Sequence, residues 1–289
     1  MQKILLFIAS LFYFNSLFAK DEIKSWQGIH ETPLSRLEQQ FAEPPVEFAN
    51  HVIWGWEGKM DKKTICNDLD SIKKKGFRAI IFEAGYKLPF KYLSEEWFKA
   101  IRTGVLEAKK RGMKVWIIDE GKYPSGFAGG KFSQERPDLR MQALVIGDTI
   151  QIKRGEVMTN HKIAPEIISA VAVSTSGAPN RTVAINNGEI SFNAGLDDWK
   201  ILLVKSDFRT AVTRAVNNPN GGKDATNSLC DYLNPVAVQQ FIDWTHEQYK
   251  KYLGKELGTT VLGFRGDEPD YAHLPWTPSI VQTFKDTKG

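Results

Sequence analysis

From Asn50 onward, short apolar runs alternate with stretches of helical period. His51-Val52-Ile53-Trp54-Gly55-Trp56 has the length and content of a strand. After it, Asp61 can cap a helix whose Ile65, Leu69 and Ile72 recur three and four residues apart, and Gly76 can stop it. Arg78 to Glu83 is the next strand, and Ser94 then caps a helix with Trp97, Phe98, Ile101, Val105 and Ala108 on one face, ending at Gly112. Lys114 to Asp119 is a third strand. Far downstream, Asn234-Pro235 pairs a cap with Pro at the first helical position, opening a helix that buries Val238, Phe241, Ile242 and Tyr249. A fourth strand, Thr260 to Arg265, follows Gly254 and Gly258, and a further helix is due after Pro275-Trp276-Thr277-Pro278. Strand and helix in this repeating order predict a parallel sheet, hence an α/β fold.

Between about Leu144 and Val204 the rhythm changes. Ile167 to Val173, Thr182 to Ile185 and Glu189 to Phe192 are short β-branched runs, separated by turns at Ser176-Gly177-Ala178-Pro179 and Asn186-Asn187-Gly188. The second turn suits a tight hairpin, and the segment reads as an inserted all-β module. A polar loop with Asn217-Asn218-Pro219-Asn220-Gly221-Gly222 returns the chain to the β-α pattern.

At the start, Lys3 precedes an apolar run from Ile4 to Phe18, with small Ala19 before Lys20. This has the order of a cleavable secretory signal, which predicts export to the periplasm or beyond. The run falls short of the roughly 20 residues that span a bilayer, and Asn15 and Ser16 interrupt it. The two cysteines, Cys66 and Cys230, lie far apart and read as free buried thiols.

Composition narrows the field further. The 289 residues are 42% hydrophobic, 25% charged and 11% aromatic, enough for a substantial core. A net charge of +4, evenly spread, marks no nucleic-acid surface. The Gly-rich loop Tyr123-Pro124-Ser125-Gly126-Phe127-Ala128-Gly129-Gly130 lacks the Gly-Lys-Ser/Thr ending of a phosphate loop and the spacing of a dinucleotide fingerprint. No His pair stands at metal spacing, no Gly-x-Ser-x-Gly elbow occurs, and His246 is expected mid-helix.

In parallel α/β architectures, the carboxyl ends of the strands face the ligand. Here they carry Trp54, Trp56 and Glu57, then Glu83 and Tyr86, then Asp119 and Glu120, then Arg265, Asp267 and Glu268. Carboxylates beside aromatic rings suit glycoside hydrolysis, in which one acid protonates the leaving oxygen, another carboxylate activates water or attacks, and flat rings receive the sugar's C–H groups. Pro269 fixes the turn directly after Asp267-Glu268. Trp54, Trp56 and Trp276 could stack on sugar or simply pack, whereas Trp97, Trp116, Trp199 and Trp244 fit core positions.

Trp54-Gly55-Trp56, Tyr92-Leu93-Ser94-Glu95-Glu96-Trp97, Glu107-Ala108-Lys109-Lys110-Arg111-Gly112-Met113, Asp119-Glu120 with Pro124-Ser125-Gly126, Asp231-Tyr232-Leu233-Asn234-Pro235 and Asp267-Glu268-Pro269, in this order, resemble glycoside hydrolase family 106, the α-L-rhamnosidases, and their relatives. The resemblance runs from about residue 50 to 280. It implies a TIM-like (β/α) barrel with accessory β-modules, secretion, and single-displacement hydrolysis of α-L-rhamnosides in polysaccharides. No cofactor is required by the residues themselves, and the resemblance allows calcium near the sugar. Carried across, Glu268 is the general acid, Asp267 its neighbour, and Asp119 and Glu120 part of the sugar-binding floor. Trp54, Trp56, Glu83, Tyr123, Arg265 and Trp276 complete the expected substrate contacts. Tyr123 stands where relatives usually have Trp, Glu83 where many have a basic residue, and Arg265-Gly266 where a Thr is more usual, so the sugar itself stays open.

The expected organisation is a signal peptide over 1–19, a lead over 20–49, the first half of a barrel over 50–143, the β-module over 144–206 and a barrel continuation over 207–289. Four β-α steps are present where a barrel needs eight. The reading is therefore a partial barrel, with the second catalytic carboxylate elsewhere and little activity in this chain alone. The rival is a carbohydrate-binding barrel protein that keeps the sugar floor without the chemistry.

Overall fold

The computed structural model describes residues 33–44, 50–215, 223–224, 226–269 and 274–289. The expected signal segment, most of the lead and the Asn217 to Gly222 stretch lie outside the described residues. One unit, residues 1–49, contributes helix α1, Leu34–Ala42, which begins directly after Pro33. Everything below concerns the second unit, residues 50–289.

In chain order its first elements are β1 (His51–Trp56), α2 (Lys62–Lys74), β2 (Ala79–Ala84), α3 (Glu95–Lys110), β3 (Lys114–Ile118), β4 (Lys122–Tyr123) and α4 (Lys131–Glu135). An antiparallel region follows, with β5 (Gln142–Ile152), β6 (Val157–Lys162), β7 (Ile167–Ser174), β8 (Arg181–Val183), β9 (Ile185–Asn186), β10 (Glu189–Asn193) and β11 (Trp199–Phe208). The chain continues through β12 (Thr213–Ala215), β13 (Lys223–Asp224), α5 (Pro235–Trp244), α6 (His246–Leu253), β14 (Val261–Arg265), β15 (Pro275–Trp276) and α7 (Ile280–Lys288).

β1, β2, β3 and β14 form one parallel sheet in that order. Its helices start where side-chain oxygens satisfy free backbone donors. Asp61 accepts from the Thr64 N–H at 2.9 Å, Ser94 from Trp97 at 3.3 Å, and Asn234 from Val236 at 3.0 Å. The helix expected to run from Asn234 through Tyr249 is instead two, because Thr245 leaves helical backbone and its hydroxyl donates to the Phe241 carbonyl at 2.6 Å. His246 therefore begins α6 and is not mid-helix.

Among the described residues, α2, α3 and α6 pack on one face of this sheet. Trp54 and Trp56 of β1, Ile80 and Phe82 of β2, and Val115 and Ile117 of β3 meet Ile65 and Leu69 of α2, Ile101 and Val105 of α3, and Tyr249 and Leu253 of α6 in one core. Strand alternation sends Ile53, Ile81, Trp116 and Ile118 to the opposite face.

The antiparallel strands occupy Gln142 to Phe208, slightly wider than the change of pattern suggests. One sheet has the order β15-β5-β11-β7-β8 and a smaller one β6-β10-β9. They share a core of Ile152, Ala172, Val183, Phe192, Trp199 and Ile201. The hairpin between β9 and β10 turns through Asn187 and Gly188, both at positive φ, as a primed two-residue turn requires. The cysteines are free, Cys230 buried and Cys66 only half-buried.

Candidate functional site at the carboxyl ends of the parallel strands

The loop leaving β3 folds around a buried acid. Glu120 is 0% exposed, and its carboxylate accepts backbone N–H groups from Gly121 at 2.6 Å, Ala128 at 2.6 Å and Gly129 at 2.8 Å. Burial pushes its carboxyl up to about 8, against the pull of those donors. Glu120 was expected to touch sugar; the structure instead buries it completely, with three backbone donors of the Gly-rich loop on its carboxylate.

Ser125, on the same loop, ties β3 to β14. Its hydroxyl donates to Asp119 Oδ1 at 2.6 Å and accepts the Asp267 N–H at 2.6 Å, while its own N–H donates to the Asp267 carbonyl at 2.8 Å. Tyr232 closes the loop from below, its hydroxyl donating to the Ser125 carbonyl. Gly126 is needed at this point, because its φ is +110° and a Cβ there would collide with the Tyr232 hydroxyl. Asp119 is partly exposed. Burial raises its carboxyl above the ordinary range, with the Asp267 charge adding and the Ser125 hydroxyl and His246 opposing. The His246 ring packs on Phe264 at 4.5 Å, and burial holds its imidazole below the usual value against the pull of Asp119.

The register places a second group beside this bracket. Gly55 pairs with Glu83, Phe82 with Ile117, and Arg265 with Ile118. Gly55, Glu83, Ile118 and Arg265 thus share one row on the face away from the helices, with the Glu83 and Arg265 backbones roughly 10 Å apart. Arg265 Nη2 lies 3.7 Å from Asp267 Oδ1. Glu83 pairs with Lys122 at 3.0 Å, both side chains less than a fifth exposed, and the Lys122 ammonium sits 4.7 Å above the Tyr86 ring. Lys122 was not foreseen: the motifs singled out its neighbours, and a lysine one residue before Tyr123 gives no periodic signal. Tyr123 is half-buried and pairs with Arg214 in the small sheet β13-β12-β4.

The tryptophans are corrected by their faces. Trp54 and Trp56 both turn toward the helices, stacking edge-on with each other at 5.3 Å and, in the case of Trp54, with Phe82 at 5.5 Å. Trp56 is 0% exposed and meets Trp97 at 5.8 Å, so it is core. Trp276 belongs to the antiparallel sheet, paired with Gln142. The ring on the strand row's own face is Trp116, expected to be core, which is half-buried and lies over Gly263, where a Cβ would come within 2.7 Å of it. Glu268 is exposed, directly after the Ser125 bracket, with φ +38°. Non-glycine residues seldom hold positive φ, and strain of this kind gathers at functional sites. Lys122, at φ +99°, is the other charged example among the described residues.

A scan of protein-family models and a search of curated proteins both return no match. Among solved structures, a rhamnosidase from Novosphingobium sp. PP1Y aligns over 89% of this chain with a TM-score of 0.58 and 11% identity, and the alignment covers 41% of that protein. An alpha-amylase from H. orenii aligns over 81% of this chain and 42% of its own at 13% identity, with a TM-score of 0.35 that carries no argument. The chain therefore spans less than half the length of these neighbours, and the likeness to the rhamnosidase is one of fold. Among the described residues, no helix is long and apolar enough to cross a membrane, and no group of three or more His, Cys, Asp or Glu side chains could hold a metal ion.

Proposed function

We propose that this chain forms part of an exported glycoside hydrolase with a (β/α)-barrel catalytic domain, acting on α-L-rhamnosides of polysaccharides by inversion, with Glu268 as proton donor. The observation that carries the reading is the Ser125 bracket. It joins the carboxyl ends of two adjacent parallel strands, tying Asp119 to the Asp267 backbone with exposed Glu268 next in the chain, on a fold shared with a rhamnosidase. In this mechanism Glu268, exposed beside the bracket, protonates the leaving oxygen. Asp267 holds Arg265, and Asp119 accepts from Ser125 and fixes the turn. A second carboxylate activates water from the opposite side of the ring.

The test is turnover of an aryl α-L-rhamnoside and of a rhamnose-containing polysaccharide by the full-length protein and its E268Q variant. General-acid assistance of about 10²–10⁴-fold should vanish for the polysaccharide and matter much less for the activated aryl substrate. Equal loss on both substrates would remove Glu268 from the acid role. A second reading, sugar binding without hydrolysis, draws on the engagement of both acids at the end of β3, Asp119 and Glu120, by protein donors. Binding of sugar without turnover by the full-length protein selects it.

A further inference from the structure

We propose that Glu83 and Lys122 form a recognition subsite for two neighbouring hydroxyls of a neutral sugar, and that this pair selects against sugars carrying a carboxylate. The inference rests on the reading of the strand ends as a carbohydrate site and names what that site measures. Three independent features support it. Glu83 lies in the strand-end row, on the face away from the helices and level with Arg265, and Lys122 reaches it from β4, just after β3. Its ion pair is short, 3.0 Å, and largely enclosed, with side chains 19% and 15% exposed, so it is no loose surface contact. Lys122 also holds φ +99°, where glycine would rest without strain. The turn is thus held by a strained residue whose side chain ends on Glu83.

The chemistry of the pair fits a diol. A carboxylate offers only acceptors and an ammonium only donors, so side by side they present an acceptor and a donor to two adjacent hydroxyls, each of which can give one hydrogen bond and take one. Because the lysine charge is already matched by Glu83, an incoming sugar carboxylate finds a neutral pair with an acidic partner beside it, and must break the ion pair to be held. Tyr86, beneath the ammonium, fixes the height of the lysine and leaves part of its ring exposed at the rim.

The experiment titrates the full-length protein and three variants, E83Q, K122M and the double variant E83Q/K122G, with L-rhamnose, D-glucose and D-galacturonate, and records the melting temperature of each protein. Wild type should bind at least one neutral sugar at least 10-fold more tightly than the uronate, and E83Q and K122M should each weaken that binding at least 10-fold. The double variant should lose binding and melt no lower than wild type, because it removes the strained residue and the charge it neutralised together. Unchanged sugar affinity in E83Q and K122M overturns the subsite while leaving the carbohydrate reading intact. Uronate bound as tightly as neutral sugar overturns the selectivity, a lower-melting double variant with unchanged binding makes the pair structural, and no binding of any of the three sugars by wild type overturns the subsite together with the reading beneath it.

Discussion

Ser125 and Asp267, 142 residues apart in the chain, exchange two hydrogen bonds: the Ser125 N–H donates to the Asp267 carbonyl at 2.8 Å, and the Asp267 N–H donates to the Ser125 hydroxyl at 2.6 Å. The hydroxyl proton goes on to Asp119 at 2.6 Å, so one side chain serves both strand ends. Ser125→Ala leaves the Asp267 N–H without its acceptor and Asp119 without its donor. A loss of about 1–3 kcal/mol in chemical denaturation is expected, together with a further rise in the Asp119 carboxyl measured by NMR titration. A variant as stable as wild type, with Asp119 titrating as before, would contradict the bracket.

Glu120 gives the protein a pH dependence of definite sign. Its carboxyl is raised in the folded state, from the ordinary 4.5 to about 8, so the folded protein binds the proton more tightly than the unfolded chain. Its contribution to stability is complete below about pH 4.5 and is lost as pH rises through about 8, with a slope of at most about 1.4 kcal/mol per pH unit. Melting temperatures measured from pH 5 to 8.5 should show this slope in wild type and not in Glu120→Gln. At acid pH that variant should be the less stable of the two, because its amide NH₂ faces the Ala128 N–H, and the gap should narrow as the pH rises toward 8.

Gly126→Ala should cost about 2–4 kcal/mol, from a backbone held at φ +110° and from crowding against Tyr232. Tyr232→Phe in the same background should recover part of that loss, since the hydroxyl is the atom met first. A Gly126→Ala protein of wild-type stability would place the loop differently.

Trp56→Ala separates packing from binding. The ring lies between Phe82, at 5.1 Å, and Trp97, and is fully buried, so its removal should cost about 3–5 kcal/mol. Any effect on sugar affinity should follow from unfolding alone. Weaker sugar binding by a fully folded Trp56→Ala protein would restore the stacking role.

The parallel sheet was legible because its signals are local. Asp61, Ser94 and Asn234 are caps by chemistry, and each accepts the backbone donor that its position demands. The Asn187-Gly188 hairpin was legible for the same reason, since only residues tolerant of positive φ fit its turn. The site was harder to read because its decisive facts are relations between strands. Alternation says that Trp54 and Trp56 share a face, but only the helices packed behind Phe82 reveal that this face is the interior. Glu120 has the sequence position of a ligand-facing acid, and the return of Ala128 and Gly129 over it, eight and nine residues later, is what buries it. Trp116 moved the other way, from expected core to the face of the strand row, because Gly263 on the neighbouring strand leaves room for its ring.

The neighbours β3 and β14 have the whole antiparallel region between them in the chain, and this orders events during synthesis. At roughly 5–20 residues per second, a ribosome that has just delivered Ser125 needs about 7–28 s to deliver Asp267. Throughout that interval Ser125 and Asp119 are in place without the turn they hold, and the edge of β3 waits unpaired while β5 to β11 are made. The bracket is thus among the last features of the molecule to exist, and a nascent chain halted within those seconds carries the first three parallel strands without it.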